Sequence, residues 1–323
     1  MKNYFFRRWL VALSLGCVAT LAAAAGYPER PVKLIVSLPP GSGADTTARF
    51  LAKHLTDKFG QPFVVENRPG ADSFIAARAV AIAPADGYTM FMASNSPMVT
   101  NVAVFRQLPY DAVKDFQPLA RIARFPMVLV VPASSPFRNL QDLVTAARLA
   151  PGKLNFGSGT ATYRVALELL HERNQIKATA VPYKGTSAAM TDLAGGNIDY
   201  TMAEVSAVMP LVRGGRVRAL AVAATERIKE LPQVPTVIES GTPGYESYAW
   251  TGVFFPAGVP EPILTRTSQA IQQLMESEEG KAFIASLGGS VFYAAPLPFA
   301  EFQRAEIEKA KRIVKTANIA YEN

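Results

Sequence analysis

Val32-Lys33-Leu34-Ile35-Val36-Ser37-Leu38-Pro39-Pro40-Gly41-Ser42-Gly43-Ala44-Asp45 decides the fold, together with the spacing that follows at Ala48, Leu51, Ala52, Leu55 and Phe59. A short apolar run that stops at Pro and Gly reads as a strand, and the spacing after it reads as an amphipathic helix. The first N–H groups of that helix have no intrahelical acceptor. A small-residue loop leading into such a helix is a ready anion site, because backbone donors and the helix dipole point the same way. The design recurs at Leu154–Phe156, Gly157-Ser158-Gly159-Thr160-Ala161-Thr162 and Tyr163–His171. Two such loops suggest two half-sites that face each other around a small anionic ligand.

Outward from the first loop, strand and helix patterns alternate. Strand Val32–Leu38, helix Asp45–Phe59, strand Phe63–Glu66, a helix from about Phe74 to Ala83 and strand Tyr88–Ala93 form a first unit. A second unit begins with strand Met127–Val131. It continues through helix Leu140–Ala150, strand Leu154–Phe156, helix Tyr163–Glu172, strand Ala178–Val181, helix Ala188–Ala194 and strands Tyr200–Ala203 and Ala219–Ala224. From Leu231 the chain is rich in proline (Pro232, Pro235, Pro243, Pro256, Pro260, Pro262) and reads as a long surface crossover. Helices Pro262–Glu278 and about Pro298–Ala317 close it. This alternation predicts an α/β fold in which each lobe is a mostly parallel sheet flanked by helices, with ligand loops at the carboxyl ends of the strands. We expect a discontinuous first lobe (26–124 and 246–323), a second lobe (125–245), and two crossovers that act as hinges. The cleft between the lobes is then the default ligand site.

At 323 residues the chain has room for about two domains. With 49% hydrophobic and 18% charged residues it is globular and not disordered. Residues 1–25 stand apart: Lys2, Arg7 and Arg8 lead, an apolar run follows from Trp9 to about Thr20, and Ala23-Ala24-Ala25 ends it. That is the pattern of a cleaved secretory signal peptide, and the apolar run is short for a membrane span. Cys17, the single cysteine, lies inside it. Ser14-Leu15-Gly16 before it lacks the branched aliphatic residue of a lipoprotein signal. Cleavage near Ala25 leaves a cysteine-free chain in which disulfides and thiol catalysis are excluded. Removing Lys2, Arg7 and Arg8 lowers the net charge from +7 to +4. Lys and Arg are spread along the chain, so nothing calls for a nucleic-acid partner.

An enzyme needs a nucleophile with a base, a metal cluster or a cofactor loop. His54 and His171 are the two histidines, each on a helix flank where a structural role is expected. There is no His-x-x-x-His pair, no Gly-x-Ser-x-Gly elbow and no Gly-Lys-Ser/Thr loop. Gly41-Ser42-Gly43 starts like a dinucleotide fingerprint, but Thr46 stands where the third glycine belongs. Neither a cofactor nor a metal is expected. Asp45 reads as a first-turn residue that satisfies helix N–H groups. Trp250 and Tyr248 read as core residues more than as ligand-stacking ones.

Several motifs now converge. Pro39-Pro40-Gly41-Ser42-Gly43-Ala44-Asp45, Val65-Glu66-Asn67-Arg68-Pro69-Gly70-Ala71, Ala85-Asp86-Gly87-Tyr88-Thr89 and Leu108-Pro109-Tyr110-Asp111 run in order along the chain. Val181-Pro182-Tyr183-Lys184-Gly185, Arg218-Ala219-Leu220-Ala221-Val222, Leu231-Pro232-x-Val234-Pro235-Thr236 and Pro256-Ala257-Gly258 follow. Together they resemble the Bug family, the TctC-like extracytoplasmic receptors of tripartite tricarboxylate transporters. The resemblance implies a two-lobed, type II-like periplasmic binding protein of the flytrap kind, exported by its signal peptide. It further implies a small organic carboxylate as ligand, membrane permease subunits as partners and no catalysis. The carboxylate would be held largely by backbone N–H groups and water in the loops matching Pro39–Ala44 and Gly157–Thr162.

The candidate ligand-binding residues are therefore Pro39, Pro40, Gly41, Ser42, Gly43, Ala44, Asp72, Ser73, Ser158, Gly159, Thr160, Thr162, Arg164, Tyr183, Lys184 and Gly185. Departures from the family pattern fall among them. Ser42 replaces a second consecutive glycine, Asp72-Ser73 stands where many members have Gly-Gly, and Arg164 replaces a histidine seen in many relatives. Asp72 at the cleft mouth would repel a diacid, form a salt bridge or bind an amino group, and Arg164 would reach the distal end of a longer or aromatic acid. Two other readings stay open: a monomeric ligand sensor that presents its closed form to a membrane signalling protein, and a secreted α/β hydrolase.

Overall fold

The structure is a computed structural model that describes residues 26–321. The signal peptide expected over residues 1–25, with Cys17, lies outside the described residues. In chain order the strands are β1 (Val32–Val36), β2 (Phe63–Asn67), β3 (Thr89–Ser94), β4 (Phe116–Pro132), β5 (Asn155–Ser158), β6 (Thr179–Pro182), β7 (Tyr200–Glu204), β8 (Val217–Val222), β9 (Tyr248–Pro256) and β10 (Ser290–Ala294). The helices are α1 (Gly43–Phe59), α2 (Phe74–Ala81), α3 (Asn101–Val104), α4 (Leu140–Leu149), α5 (Ala161–Asn174), α6 (Thr186–Ala194), α7 (Val205–Arg213), α8 (Glu261–Glu276), α9 (Glu278–Ser286) and α10 (Pro296–Thr316). A π-helical turn, Ser96–Thr100, leads into α3.

The strand order is β2-β1-β3-β9-β4-β7-β5-β6, with β8 and β10 also paired to β4. Strands β1–β2, β1–β3, β5–β6 and β5–β7 are parallel, as βαβ connections require. Every pairing of β4 or β9 is antiparallel. The protein thus has two α/β halves, each with parallel outer strands, joined through an antiparallel centre.

Strand β4 is what joins them. Over 17 residues it pairs with β9 as far as Pro126↔Tyr248, and from Met127 onward it pairs with β7 and β8. Pro126, which has no N–H to donate, sits where the partners change. The sequence reading ends the first lobe's opening segment at 124 and begins the second unit with strand Met127–Val131. The backbone carries both on one strand, because Leu119, Ile122, Phe125 and Met127–Val131 all bury into continuous core.

Helix α1 shows why the decisive stretch folds as it does. Ser42 caps it by accepting from the Asp45 amide at 3.2 Å, and Gly60 ends it with φ 71°. Ala48, Leu51, Ala52 and Leu55 are buried on one face. Leu51 and Leu55, fully enclosed, each contribute about 1.5–3 kcal/mol by burial.

The proline-rich region differs from its sequence reading. Leu231, Val234, Val237 and Tyr245 are buried, and Thr236 bridges to Val222, so this crossover is packed into the second half. Beyond it, Tyr248–Pro256 is the central strand β9. Its residues are nearly all buried, so no alternation marks it, and Pro256 masks its end. Trp250 is core: fully buried, with its ring 5.5 Å from Phe299 and 5.8 Å from Phe302. Gly252 carries no side chain because Phe299 occupies the space a Cβ would take. His171 is a satisfied structural histidine, with Nε2 2.7 Å from the Tyr200 hydroxyl and Nδ1 3.1 Å from Glu168.

Candidate functional site

Four helices begin at the carboxyl ends of parallel strands: α1 after β1, α5 after β5, α6 after β6 and α7 after β7. Each exposes first-turn N–H groups that its own backbone cannot satisfy. The structure brings these starts together. A Cβ on Gly43, the first residue of α1, would lie 3.9 Å from the Ser206 hydroxyl in the first turn of α7. A Cβ on Gly159 would lie 2.5 Å from the Thr186 amide nitrogen, so only glycine lets the β5–α5 loop meet the start of α6. The hydroxyl of buried Tyr163, on α5, sits against Thr186 and the Glu204 backbone.

The four starts are not equivalent. Ser42 occupies the Asp45 amide of α1, and Thr160 Oγ1 occupies the Tyr163 amide of α5 at 3.4 Å. This leaves Gly43 and Ala44 in one helix and Ala161 and Thr162 in the other. Helices α6 and α7 have no side-chain cap at all. At α6 the capping position is Gly185, whose φ of 108° suits glycine alone. Glu204 holds that position in α7 without capping it.

The first loop is tied by side-chain hydrogen bonds. The Asp45 carboxylate, almost fully buried, accepts from the Gly41 amide (2.9 Å), Asn67 Nδ2 (2.9 Å) and Arg49 Nε (3.1 Å). Burial pushes its pKa up, but the bonds from Arg49, Gly41 and Asn67 outweigh that and hold it below the ordinary carboxylate value. Asn67 also donates to the Leu38 carbonyl at 3.0 Å, so it braces this loop. Asp45 therefore stabilises the loop and not only the helix start.

Thr162 joins the two halves. Its hydroxyl lies 2.9 Å from those of both Ser96 and Thr100, all three buried. Beside this contact is a cavity of about 60 Å³ lined by Asn95, Thr100, Thr162, Tyr248, Glu306 and Lys309 among others. The halves thus touch at Gly43–Ser206 and at Thr162–Ser96/Thr100.

Of the sequence-predicted residues, Gly41–Ala44, Ser158–Thr162 and Gly185 belong to the converging loops. Ser158 is buried and its carbonyl accepts from the Tyr183 amide at 2.9 Å. The Tyr183 hydroxyl donates to Asp192 at 2.8 Å, and burial with that carboxylate raises its pKa to about 12. Pro39, Pro40 and Lys184 are exposed, and Arg164 is half-buried in the first turn of α5. Asp72 and Ser73 are consecutive left-handed residues, φ 48° and 74°, a conformation that glycine adopts without strain. Asp72 is exposed; its carbonyl accepts from Asn101 Nδ2 at 2.8 Å. Sequence reasoning missed Ser96, Thr100 and the Glu204–Ser206 start. Pro210 inside α7 hid that helix, although the strand Tyr200–Glu204 before it was legible.

The family described as "Tripartite tricarboxylate transporter family receptor" matches residues 47–319. A UPF0065 protein in the tcbD-tcbE intergenic region of Pseudomonas sp. (strain P51) is 34% identical over 97% of this chain and 95% of its own length. Protein BugT of Bordetella pertussis is 32% identical over 92% of each. Among solved structures, Rpa4515 of R. palustris with adipate superposes with a TM-score of 0.86 at 35% identity, covering 92% of this chain and 100% of that one.

Two outcomes follow from this geometry. Asp45→Asn is expected to cost about 2 kcal/mol, since one charged acceptor serves three donors. Asp45 has a lowered folded pKa, so its stabilisation is full above about pH 4 and is lost as pH falls through the folded value. Urea titrations from pH 7 to 2 should therefore show wild type and variant converging only in acid. Ser73 makes no capping bond at φ 74°. Ser73→Gly is expected to raise stability by about 1 kcal/mol by relieving the left-handed strain, read as an increased urea midpoint at unchanged slope.

Proposed function

The chain belongs to the Bug family of tripartite tricarboxylate transporter receptors, and from that premise we propose that it captures a small organic carboxylate between its lobes for a tripartite tricarboxylate-type permease. Members of the family are periplasmic solute-binding proteins, and this chain is one of them by sequence and fold. The single observation that carries the finer reading is the convergence of four helix starts, two of them uncapped, at the carboxyl ends of β1, β5, β6 and β7. Neutral N–H donors reinforced by helix dipoles can hold a carboxylate without an arginine partner. Adipate in the related R. palustris protein supports a carboxylate of that general size.

Within this reading the ligand is held by the loops at Pro39–Ala44, Ser158–Thr162 and Tyr183–Gly185, with Asp72, Ser73 and Arg164 near the entrance. The lobes are 26–124 with 246–323 and 125–245, supported by the change of partners in β4 after Pro126. The hydrogen bonds of Thr162 to Ser96 and Thr100 are those of a closed state, broken when the lobes part about β4 and the start of β9. Export follows from removal of residues 1–25, and the receptor acts as a monomer. No observation favours the sensor or hydrolase readings.

A thermal-shift screen of the mature protein against mono-, di- and aromatic carboxylates tests the proposal. Ligand at a hundred times its dissociation constant should add about 2.7 kcal/mol of stability. A screen in which no acid raises the melting temperature, while an ester or amide is turned over, overturns it. Gly159→Ala should weaken the acid found in this way by about tenfold or more, because the new methyl separates the starts of α5 and α6. Calorimetric titration checks this, with the unliganded melting temperature reporting whether the fold survives.

A further inference from the structure

Glu204 is the one acidic side chain at the four converging helix starts that the fold has not satisfied. It ends β7 and stands at the capping position of α7 with φ −65° and ψ 152°, yet its carboxylate accepts nothing from the helix it precedes. Among the described residues it has no hydrogen-bond donor and no ion-pair partner. Its surroundings come from every nearby helix start. The Tyr163 hydroxyl of α5 lies against its backbone and also meets Thr186 of α6, and Ser206, two residues on, is near Gly43. It is half-buried by surface area, at the strand end where the starts of α5, α6 and α7 meet. That enclosure lifts its pKa to about 7 by burial alone, with no cation offsetting it. Asp45 shows the contrast: also acidic and at a helix start, it has three donors and a lowered pKa.

A desolvated carboxylate without a donor is costly, and a group that supplies one is bound in proportion. The helix starts offer donors and suit the carboxylate end of a ligand. Glu204 offers an acceptor and suits the opposite chemistry. Resting on the carboxylate-receptor reading, we infer that Glu204 is the specificity-determining residue of the cleft: it accepts a hydrogen bond from an ammonium or hydroxyl group that the ligand carries beside its carboxylate. A plain diacid would set like charge against Glu204, whereas an amino or hydroxy acid satisfies both halves of the site.

The test uses matched acids that differ by one group: succinate, malate and aspartate; adipate and 2-aminoadipate; phenylacetate, mandelate and phenylglycine. Calorimetric titration of the mature protein at pH 8 should show, in at least one series, a donor-bearing member bound about tenfold or more tighter than the plain acid. Glu204→Gln should shrink that ratio at least threefold, from both sides: the plain acid tightens as like charge is removed, and the amino acid weakens. Aspartate or aminoadipate leading its series identifies an ammonium, and malate or mandelate leading identifies a hydroxyl. The inference is overturned if plain acids bind wild type as tightly as their donor-bearing counterparts, or if Glu204→Gln leaves the ratio intact. It is also overturned if plain acids alone bind and tighten as pH falls from 8 to 6 in wild type but not in Glu204→Gln, since Glu204 would then be giving a proton to the ligand. In each of these cases the carboxylate reading stands. If no acid in any series binds, that reading fails and the inference with it. The wild-type ratios decide even if the variant does not fold.

Discussion

An α-helix leaves the N–H groups of its first turn without partners, and the arrangement of this protein's site depends on where those groups are put. They sit at the carboxyl ends of parallel strands, where the βαβ connection places every helix start on one edge of its sheet. Two halves built this way, set face to face as proposed, would turn their donors toward a common cleft. The glycines serve the same end. Gly159 permits the contact between the starts of α5 and α6, and Gly185 adopts a backbone angle that leaves α6 uncapped. Even the caps fit this pattern, since Ser42 and Thr160 each occupy one donor and leave those ahead of it open.

Such a cleft works only if its two sides can move as bodies. In the proposed two-lobed reading strand β4 would allow that, because it pairs with both halves and changes partners at a residue that cannot donate to either. Bending there needs no ladder hydrogen bond of Pro126 to break. The cost of closure falls on the side chains that meet across the gap. Thr162, Ser96 and Thr100 satisfy one another there, with all three hydroxyls buried. Neutral hydroxyls separate into water more cheaply than a buried ion pair would, which suits a receptor that must release its ligand.

What the sequence made legible was whatever has a period or a stop signal. The parallel strands and their helices were readable because Val32–Val36 is a short apolar run and Ala48–Leu55 buries one helix face, each bounded by Pro or Gly. The loops of α1 and α5 stood out because small residues separated a strand from a helix. Strand β9 had neither mark: buried on both faces, it shows no alternation, and Pro256 and Gly252 argue against a strand until Phe299 is seen filling the glycine's space. Helix α7 was hidden by Pro210, which lies inside the helix, past its first turn, where proline reads as a breaker. Ser96 and Thr100 could not be found at all, because their role depends on Thr162, over 60 residues away, and no local pattern encodes that meeting.

Asp45 and Glu204 show how much of a site is decided by donors and not by residue type. Both are acids at helix starts, and from sequence either could be a cap. Asp45 lies where Gly41, Arg49 and Asn67 converge, so its charge is stabilised and its acceptor capacity is used up. Nothing further is gained by bringing it a ligand, and its work is to hold the loop. Glu204 lies where the neighbouring donors go elsewhere: the Tyr163 hydroxyl bonds its backbone, and the α7 amides take no bond from its side chain. Its charge is disfavoured by its enclosure, and in the proposed site its unmet capacity would pass to whatever enters. In a cleft whose walls are otherwise donors, one unsatisfied acceptor is enough to break the symmetry between the two ends of a small acid.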